Sequence, residues 1–316
     1  MACFGCRCGF SLVGVQKWRL TRTFQRCGLI ERQVQIDDQT SIHCWVSKPF
    51  AKHQELQKIP RRKSLLLLHG FGASAIFQWA GQINAFHKQF DLIIPDLIFF
   101  GGSTSSSEER SEIFEAASMA RLMHDIFKVE RYHVAGISYG GFVAYRMAYN
   151  YPERVQRVVL TDSPGVVMVR SDYERMLSTH GVASTADLLL PETPADVRRL
   201  LQVAYYRPPW VPNFLLRDTL QVMFSEMVEE KRGMLVKLLE YLDKPEVPLP
   251  KLTQDVLIVW GEQDEIFPLS LAQRLQEFLG KKARLVVLKE ARHASNIEKP
   301  REYNRAVLEF LLREGA

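Results

Sequence analysis

The sequence lacks the features that mark membrane-spanning, disulfide-stapled and nucleic-acid-binding proteins. In its 316 residues no apolar run approaches the ~20 residues that a membrane-spanning helix needs. All five cysteines lie between positions 3 and 44, so the rest of the chain holds no disulfide framework, and a reducing compartment, the cytoplasm, fits best. The net charge of +5 comes from residues 1–30, which contain no acidic residue, so residues 31–316 are neutral. A neutral body argues against a nucleic-acid partner.

The first 28 residues form a basic, cysteine-containing segment for which three interpretations stay open. Cys3, Cys6 and Cys8 lie beside basic residues, and reversible acylation there would bring the protein into peripheral contact with a membrane. The alternatives are an organelle transit peptide and an unstructured tail with unreactive thiols. Zinc binding is disfavoured because no second ligand pair follows the three cysteines.

Buried-strand patterns alternate with amphipathic helical patterns over 29–164 and again over 251–316. Apolar runs at 65–68, 92–94 and 132–135 are typical of strands covered on both faces. The alternation predicts a mostly parallel sheet wrapped by helices. Between these regions, 165–250 shows helical periodicity without strand runs, including one stripe over 220–228. This middle region is therefore predicted to be a helical insertion.

A serine between glycines, in the segment Gly136-Ile137-Ser138-Tyr139-Gly140, is the most informative feature that is present. It lies between a strand-like run and a helix-like segment. At such a junction a tight turn lifts the hydroxyl above the sheet, and glycines are needed where a side chain would clash. The spacing misses the G-x-G-x-x-G pattern of dinucleotide-binding loops. The context predicts that Ser138 is a catalytic nucleophile.

Few residues could activate this serine. In this architecture the acid and the histidine follow the serine along the chain, and only His180 and His293 do so. His180 falls in the helical insertion, so His293 is the predicted base. The predicted acid, which would orient the imidazole, is Asp264 in a short turn after the strand-like run 256–260. Asp162, at the end of the strand after the nucleophile, stays the alternative.

Two backbone amides are predicted to stabilise an oxyanion at this site. The amide of Tyr139 directly follows the nucleophile, and a second donor should come from the loop after the strand-like run 65–68. That loop reads His69-Gly70-Phe71-Gly72, and the Phe71 amide is the candidate.

These segments together resemble the α/β-hydrolase superfamily, and within it the monoacylglycerol-lipase-like and carboxylesterase hydrolases of plants. The resemblance covers about residues 29–314 and rests on the serine pentapeptide together with the segments His69-Gly70-Phe71-Gly72, Pro95-Asp96-Leu97, Gly101-Gly102-Ser103, Trp260-Gly261-Glu262-Gln263-Asp264 and Arg292-His293-Ala294. One segment departs from the pattern. Where the family often shows Asp-Leu-x-Gly-x-Gly-x-Ser, this chain has Phe99 and Phe100, which we expect to alter the pocket wall.

The resemblance implies an α/β-hydrolase fold, with a mostly parallel eight-stranded sheet, helices on both faces and a helical cap (lid) over the site. The expected division is a tail over 1–28, a core over 29–164 and 251–316, and a cap over 165–250. The implied activity is hydrolysis of carboxylic esters of apolar or acylglycerol-like substrates through an acyl-serine intermediate, without a cofactor or metal. Thioester or carbon–carbon bond hydrolysis, and a small-molecule receptor on the same fold, are the alternatives.

Overall fold

The computed structural model describes residues 11–50, 62–243 and 249–313. The strands are β1 (Leu29–Gln35), β2 (Thr40–Ser47), β3 (Ser64–Leu68), β4 (Asp91–Pro95), β5 (Thr104–Ser105), β6 (Tyr132–Ile137), β7 (Val155–Thr161), β8 (Asp255–Gly261) and β9 (Ala283–Leu288). The helices are α1 (Leu12–Arg26), α2 (Ala75–Phe86), α3 (Glu112–Arg121), α4 (Tyr139–Asn150), α5 (Arg170–His180), α6 (Thr185–Leu189), α7 (Pro194–Ala204), α8 (Asn213–Thr219), α9 (Val228–Asp243), α10 (Leu269–Leu279), α11 (Ser295–Glu298) and α12 (Pro300–Leu311).

The strands form one sheet in the order β1-β2-β4-β3-β6-β7-β8-β9, with β5 paired to β2. β2 pairs antiparallel with both β1 and β4, whereas all pairs from β4 to β9 are parallel. Parallel neighbours need a crossover, which here is a covering helix. The predicted mostly parallel sheet of eight strands is confirmed, and β5 adds a ninth strand of two residues.

The register brings the carboxyl ends of four strands to one edge of the sheet. Leu68 of β3 pairs with Gly136 of β6, so the segments that follow these strands start side by side. Gly261 of β8 pairs with Leu288 of β9 in the same way. In open α/β sheets ligands bind at this edge.

Each face of the sheet buries its own apolar core. Side chains alternate along β3, so Leu65 and Leu67 join one core while Leu66 and Leu68 join the other. Residues of α1, α2 and α12 fill the first core, and residues of α3, α4 and α10 fill the second. Burial on both faces explains why these strands read as continuous apolar runs.

The insertion between β7 and β8 consists of helices, as expected, and α5 to α9 extend over 170–243. The helical periodicity over 220–228 does not correspond to one continuous helix. α8 ends at Thr219, a π-helical turn occupies Leu220–Phe224, and Met227 has a φ of 50° before α9 begins. Helical spacing of apolar residues did not reveal this break, because the spacing of Leu220, Phe224 and Met227 carries no information about the backbone angle at Met227.

The segment 1–28 contains a helix that packs on the body, so the alternative of an unstructured tail is wrong for residues 12–26. Ser11 caps α1 by accepting the Gly14 amide, 2.8 Å away. Phe24 is fully buried and packs edge-on against Trp45 of β2, with the ring centroids 5.3 Å apart. At its start, the Val13 amide of α1 donates to Asp218 of α8. α1 therefore contacts both the sheet domain and the cap.

Within the described ranges, no helix combines the length and apolar character needed to cross a bilayer. Cys27 and Cys44 are free thiols. Cys3, Cys6 and Cys8 lie outside the described residues, so their acylation stays a prediction.

Candidate active site

Ser138 lies in the strained turn between β6 and α4. Its φ of 51° and ψ of −118° fall in a region that residues with side chains rarely adopt. The Ser138 amide donates to the Thr161 carbonyl, 2.9 Å away, and so anchors the turn to β7. A Cβ at Gly136 would lie 2.1 Å from the Gly140 carbonyl oxygen, and one at Gly140 would lie 2.4 Å from the His69 carbonyl oxygen. Close backbone approach therefore explains both glycines.

Hydrogen bonds join Ser138, His293 and Asp264 in a chain. His293 Nε2 lies 2.9 Å from Ser138 Oγ, and His293 Nδ1 lies 2.8 Å from Asp264 Oδ2. An ionised carboxylate can only accept, so Nδ1 carries the proton and Nε2 can accept from the serine hydroxyl. Asp264 Oδ1 accepts the amides of Ile266 and Phe267, which fixes the carboxylate. The structure thus brings together the three side chains that the sequence predicted to meet.

The environment of His293 changes its basicity. Burial by itself would lower the pKa of His293, but the carboxylate of Asp264, with a further contribution from Asp162, raises the pKa above the ordinary histidine value. The imidazole is therefore a stronger base than a histidine in water.

Asp162, the alternative acid, forms its hydrogen bonds elsewhere. Its Oδ1 accepts the Gly261 amide at 2.8 Å and its Oδ2 accepts the Ser295 hydroxyl at 2.5 Å. Burial, and next the charge of Asp264, raises the pKa of Asp162 well above the usual range. Asp162 ties the end of β8 to the start of α11 and makes no hydrogen bond to His293.

The two predicted oxyanion donors flank the serine. Tyr139 is the first residue of α4, where a backbone amide has no intrahelical acceptor. Phe71 lies in the turn after β3, between Gly70 and Gly72. A Cβ at Gly70 would lie 3.3 Å from Ser138 Cβ, so the backbone of this turn passes close to the serine.

His69 and Asp96 support this turn, a role that the sequence reasoning did not assign. His69 Nδ1 donates to the Gly70 carbonyl at 2.8 Å, and its Nε2 accepts the Leu97 amide at 2.9 Å. Burial lowers the pKa of His69, which favours the neutral ring that this pattern requires. Asp96 Oδ1 accepts the Ala75 amide at 2.7 Å and so fixes the start of α2. Both residues belong to segments that carry the family resemblance, and this was the sequence feature that could have pointed to their role.

A buried amide network links α11, which begins two residues after His293, to α2, and no sequence motif pointed to it. Gln78 Nε2 donates to Asn296 Oδ1 at 3.0 Å, and Asn296 Nδ2 donates back to the Gln78 carbonyl at 3.0 Å. Gln82 Nε2 donates to the Asn296 carbonyl at 2.9 Å. Buried polar groups of this kind are costly unless paired, so the network holds one geometry.

An apolar cavity of about 380 Å³ opens at Ser138 and His293. Its floor is the 70–73 turn, and its roof comes from the cap and from α1. The lining residues of the roof are Leu189, Val197, Leu200, Leu201, Ala204, Tyr205, Thr219, Met223 and Phe224 of the cap and Val13 and Gln16 of α1. We call this space the catalytic pocket. Its apolar walls fit an acyl chain.

A larger cleft of about 640 Å³ lies between β9 and α12, but Ser138, His293 and Asp264 do not line it. Charged side chains such as Lys289, Glu290 and Lys299 surround it, which suits solvent more than an apolar ligand. Among the described residues, no group of three His, Cys, Asp or Glu side chains could hold a metal ion.

Comparison with known proteins identifies relatives of this chain. Residues 63–300 match the family model described as the alpha/beta hydrolase fold. Human monoacylglycerol lipase ABHD6 is 26% identical over 316 residues, which cover 95% of this chain and 87% of that protein. Lipase 3 of Moraxella sp. (strain TA144) is 24% identical over 245 residues, covering 74% of this chain and 72% of its own length.

Solved structures share the fold. A crystal structure of a membrane phospholipase A, a bacterial virulence factor, matches with a TM-score of 0.74 and 22% identity. The match covers 95% of this chain and 91% of that chain. At this identity the likeness establishes the architecture alone.

Proposed function

The chain belongs to the α/β-hydrolase family, and on that premise we propose that it is a serine hydrolase that cleaves carboxylic esters of apolar or acylglycerol-like substrates. The observation that carries the proposal is the hydrogen-bonded chain from Asp264 through His293 to Ser138 at the opening of the apolar catalytic pocket. The lipase names among the relatives support ester hydrolysis over thioester or carbon–carbon bond cleavage.

In the proposed reaction, His293 Nε2 takes the proton of Ser138 as Oγ attacks the ester carbonyl. The amides of Phe71 and Tyr139 donate to the oxygen that becomes negative, and donors already in place stabilise that charge by a few kcal/mol each. His293 then protonates the leaving alcohol, which leaves an acyl-serine. Water attacks the acyl-serine by the same route and restores Ser138.

Asp264 has two tasks in this mechanism. It holds the His293 ring with Nδ1 protonated, and its charge stabilises the imidazolium that forms during each proton transfer. The amides of Ile266 and Phe267 keep the carboxylate aimed at the ring. Asp162 is assigned a structural role because its oxygens already accept hydrogen bonds from Gly261 and Ser295.

We also propose that the protein works as a peripheral enzyme on the cytoplasmic side of a membrane, with α1 as the contact. Trp18 of α1 is 59% exposed, the Arg22 guanidinium lies over its ring at 5.5 Å from the ring centroid, and Arg19 is also exposed on this helix. An exposed aromatic ring among basic side chains suits the boundary of an anionic bilayer. Sedimentation with vesicles containing anionic lipid should fall for Trp18→Ser, whereas equal sedimentation of both proteins would contradict α1 as the contact.

The main test replaces the proposed nucleophile. Ser138→Ala should lose labelling by a fluorophosphonate probe and lose ester turnover by about 10⁴-fold or more. Ser163→Ala is the matched control, because the Ser163 hydroxyl is buried and has no hydrogen-bond partner in the part of the chain that the structure describes. Labelling that persists in Ser138→Ala would rule out this nucleophile.

Turnover separates the enzyme from its alternatives. Purified protein should complete many turnovers on a series of oxygen esters. A single turnover followed by arrest would indicate a receptor, and turnover of thioesters without turnover of the matching oxygen esters would indicate a thioesterase.

A further inference from the structure

A second, polar cavity of about 200 Å³ lies beside the catalytic pocket. The two cavities share Gly72, Ala73, Phe77 and Met223 as common walls. We call the second cavity the polar chamber. A molecule whose ester lies at Ser138 could therefore reach it with a group attached near the ester.

Lys231 of α9 lines the polar chamber although it is buried. Lys231 is only 4% exposed, and its Nζ donates to the Glu226 carbonyl at 2.7 Å. Among the described residues no carboxylate lies within ion-pair distance of this ammonium. Burial lowers the pKa of Lys231, only partly opposed by Glu226 and Glu230. A buried cation without a counter-ion favours an anion in the space that it lines.

Two further groups on the wall of the chamber favour an anion, and one opposes it. Lys17 of α1 contributes a second ammonium. Ser74 precedes the first residue of α2 and makes no capping hydrogen bond with its side chain, so its hydroxyl can donate at the positive end of a 12-residue helix. The carboxylate of Glu226, at an exposed position, also lines the chamber. The two lysines leave the chamber with a net positive charge.

Another wall of the polar chamber is the segment in which this chain departs from the family motif. Phe99 stands where the family often has glycine, and it keeps the left-handed backbone, with a φ of 71°. Phe100 lies between the two sites, because its ring centroid is 5.2 Å from Lys231 Nζ and 5.1 Å from the centroid of the Phe71 ring. One aromatic side chain therefore separates the buried ammonium from the predicted oxyanion turn.

From these contacts we infer that the polar chamber binds an anionic head group, a phosphate monoester, on the alcohol side of the ester. The inference rests on the proposed function and narrows it to single-chain acyl esters with a charged alcohol. The acyl chain lies in the catalytic pocket, while the phosphate accepts from Lys231, Lys17 and the Ser74 hydroxyl.

The test compares two substrates that differ only in charge, a 1-acylglycerol and the 1-acylglycerol 3-phosphate with the same medium-length chain. The unmodified protein should favour the phosphorylated ester in kcat/KM. Lys231→Met should lower that preference by about ten- to a hundredfold, since it removes a charge-assisted hydrogen bond. Lys231→Arg should retain most of it. Lys237→Met is the matched control, because Lys237 lies on α9, is exposed and pairs with Glu240.

Several outcomes would overturn the inference. One is an unmodified protein that hydrolyses both esters equally. Another is a Lys231→Met variant that loses both activities in the same proportion, which indicates a structural lysine. If neither ester is hydrolysed, the proposed function has failed, whereas hydrolysis of both esters without preference fails only the head-group assignment.

Inorganic phosphate separates a head-group site from a site for a free anion. Weak inhibition by phosphate that is competitive with the phosphorylated ester, and reduced in Lys231→Met, supports the head-group site. The head-group assignment would be overturned by a different result. In that result phosphate changes hydrolysis of the neutral ester, Lys231→Met abolishes this change, and the unmodified protein shows no preference for the phosphorylated ester.

Discussion

The sheet edge and the cap enclose the same catalytic pocket, but different forces hold the two regions. Around Ser138 the contacts are directional hydrogen bonds, as for Asp264 with the amides of Ile266 and Phe267. The cap instead meets the pocket through apolar side chains such as Leu201 and Phe224. Directional bonds fix atomic positions, whereas apolar packing mainly sets volume. The comparison teaches that chemistry and substrate choice are encoded in separate regions and can be changed separately.

The largest expected effect comes from breaking the hydrogen-bonded chain at its centre. His293→Ala should lower kcat by about 10⁴- to 10⁶-fold, because serine, histidine and acid act as a unit. His180→Ala is the control from the cap, where His180 Nε2 contacts the Glu265 carbonyl. Steady-state kinetics should leave His180→Ala close to the unmodified protein. A comparable loss in both variants would contradict the assignment.

Two buried carboxylates at the sheet edge should respond differently to the same change. Asp264→Asn should lower kcat by roughly 10³- to 10⁴-fold, because the ring loses the partner that fixes its tautomer. Asp162→Asn should affect kcat far less but lower the free energy of unfolding by about 1–3 kcal/mol, because one of its hydrogen bonds is disrupted. Kinetics and urea unfolding of both variants check this. A larger kcat loss in Asp162→Asn would reverse the two roles.

One glycine from each region tests how tightly its surroundings are packed. Gly140→Ala would place a Cβ 2.4 Å from the His69 carbonyl oxygen, so we expect a loss of roughly 3 kcal/mol or more in unfolding free energy. Gly181 of the cap has a positive φ, 60°, and nothing lies within 4 Å of its added Cβ. Gly181→Ala should therefore cost only about 1–2 kcal/mol. Equal losses in thermal unfolding would contradict the difference in packing.

Shortening a cap side chain should change the choice of substrate and leave the chemistry intact. Leu201→Ala removes apolar surface from the roof of the catalytic pocket, so KM for long-chain esters should rise up to about tenfold. The kcat on a short-chain ester should stay the same, since Leu201 makes no bond to Ser138, His293 or Asp264. An equal fall in kcat on all chain lengths would show that the cap also positions the reacting groups.

The smallest expected effect is a shift of the pH profile. Only neutral His293 can accept the serine proton, and its pKa is raised, so the acid limb of kcat/KM should lie above the ordinary histidine value of about 6.5. In Asp264→Asn the carboxylate is gone and burial remains, so the limb of the residual activity should move to lower pH. A limb that stays in place would mean that another group titrates.

The sequence predicted the fold and the convergence of Ser138, His293 and Asp264 because each of them directly follows a strand, or the loop after one. Strand order and a parallel sheet then leave few ways to arrange them. Helix α1 was missed because basic residues interrupt its apolar positions, so it shows no clear apolar stripe. In the structure Phe24 is its one buried residue. The Gln78–Asn296 network was also out of reach, because its partners lie far apart in the sequence and amide side chains carry no spacing signal.

Because α1 lines the catalytic pocket, removal of residues at the amino terminus would alter the wall of that pocket. A protease that removed the chain up to residue 28 would spare every group that handles protons. It would strip Val13 and Gln16 from the roof and uncover Trp45 of β2. Maturation, tagging or truncation at this end would therefore change substrate selectivity and leave Ser138, His293 and Asp264 in place.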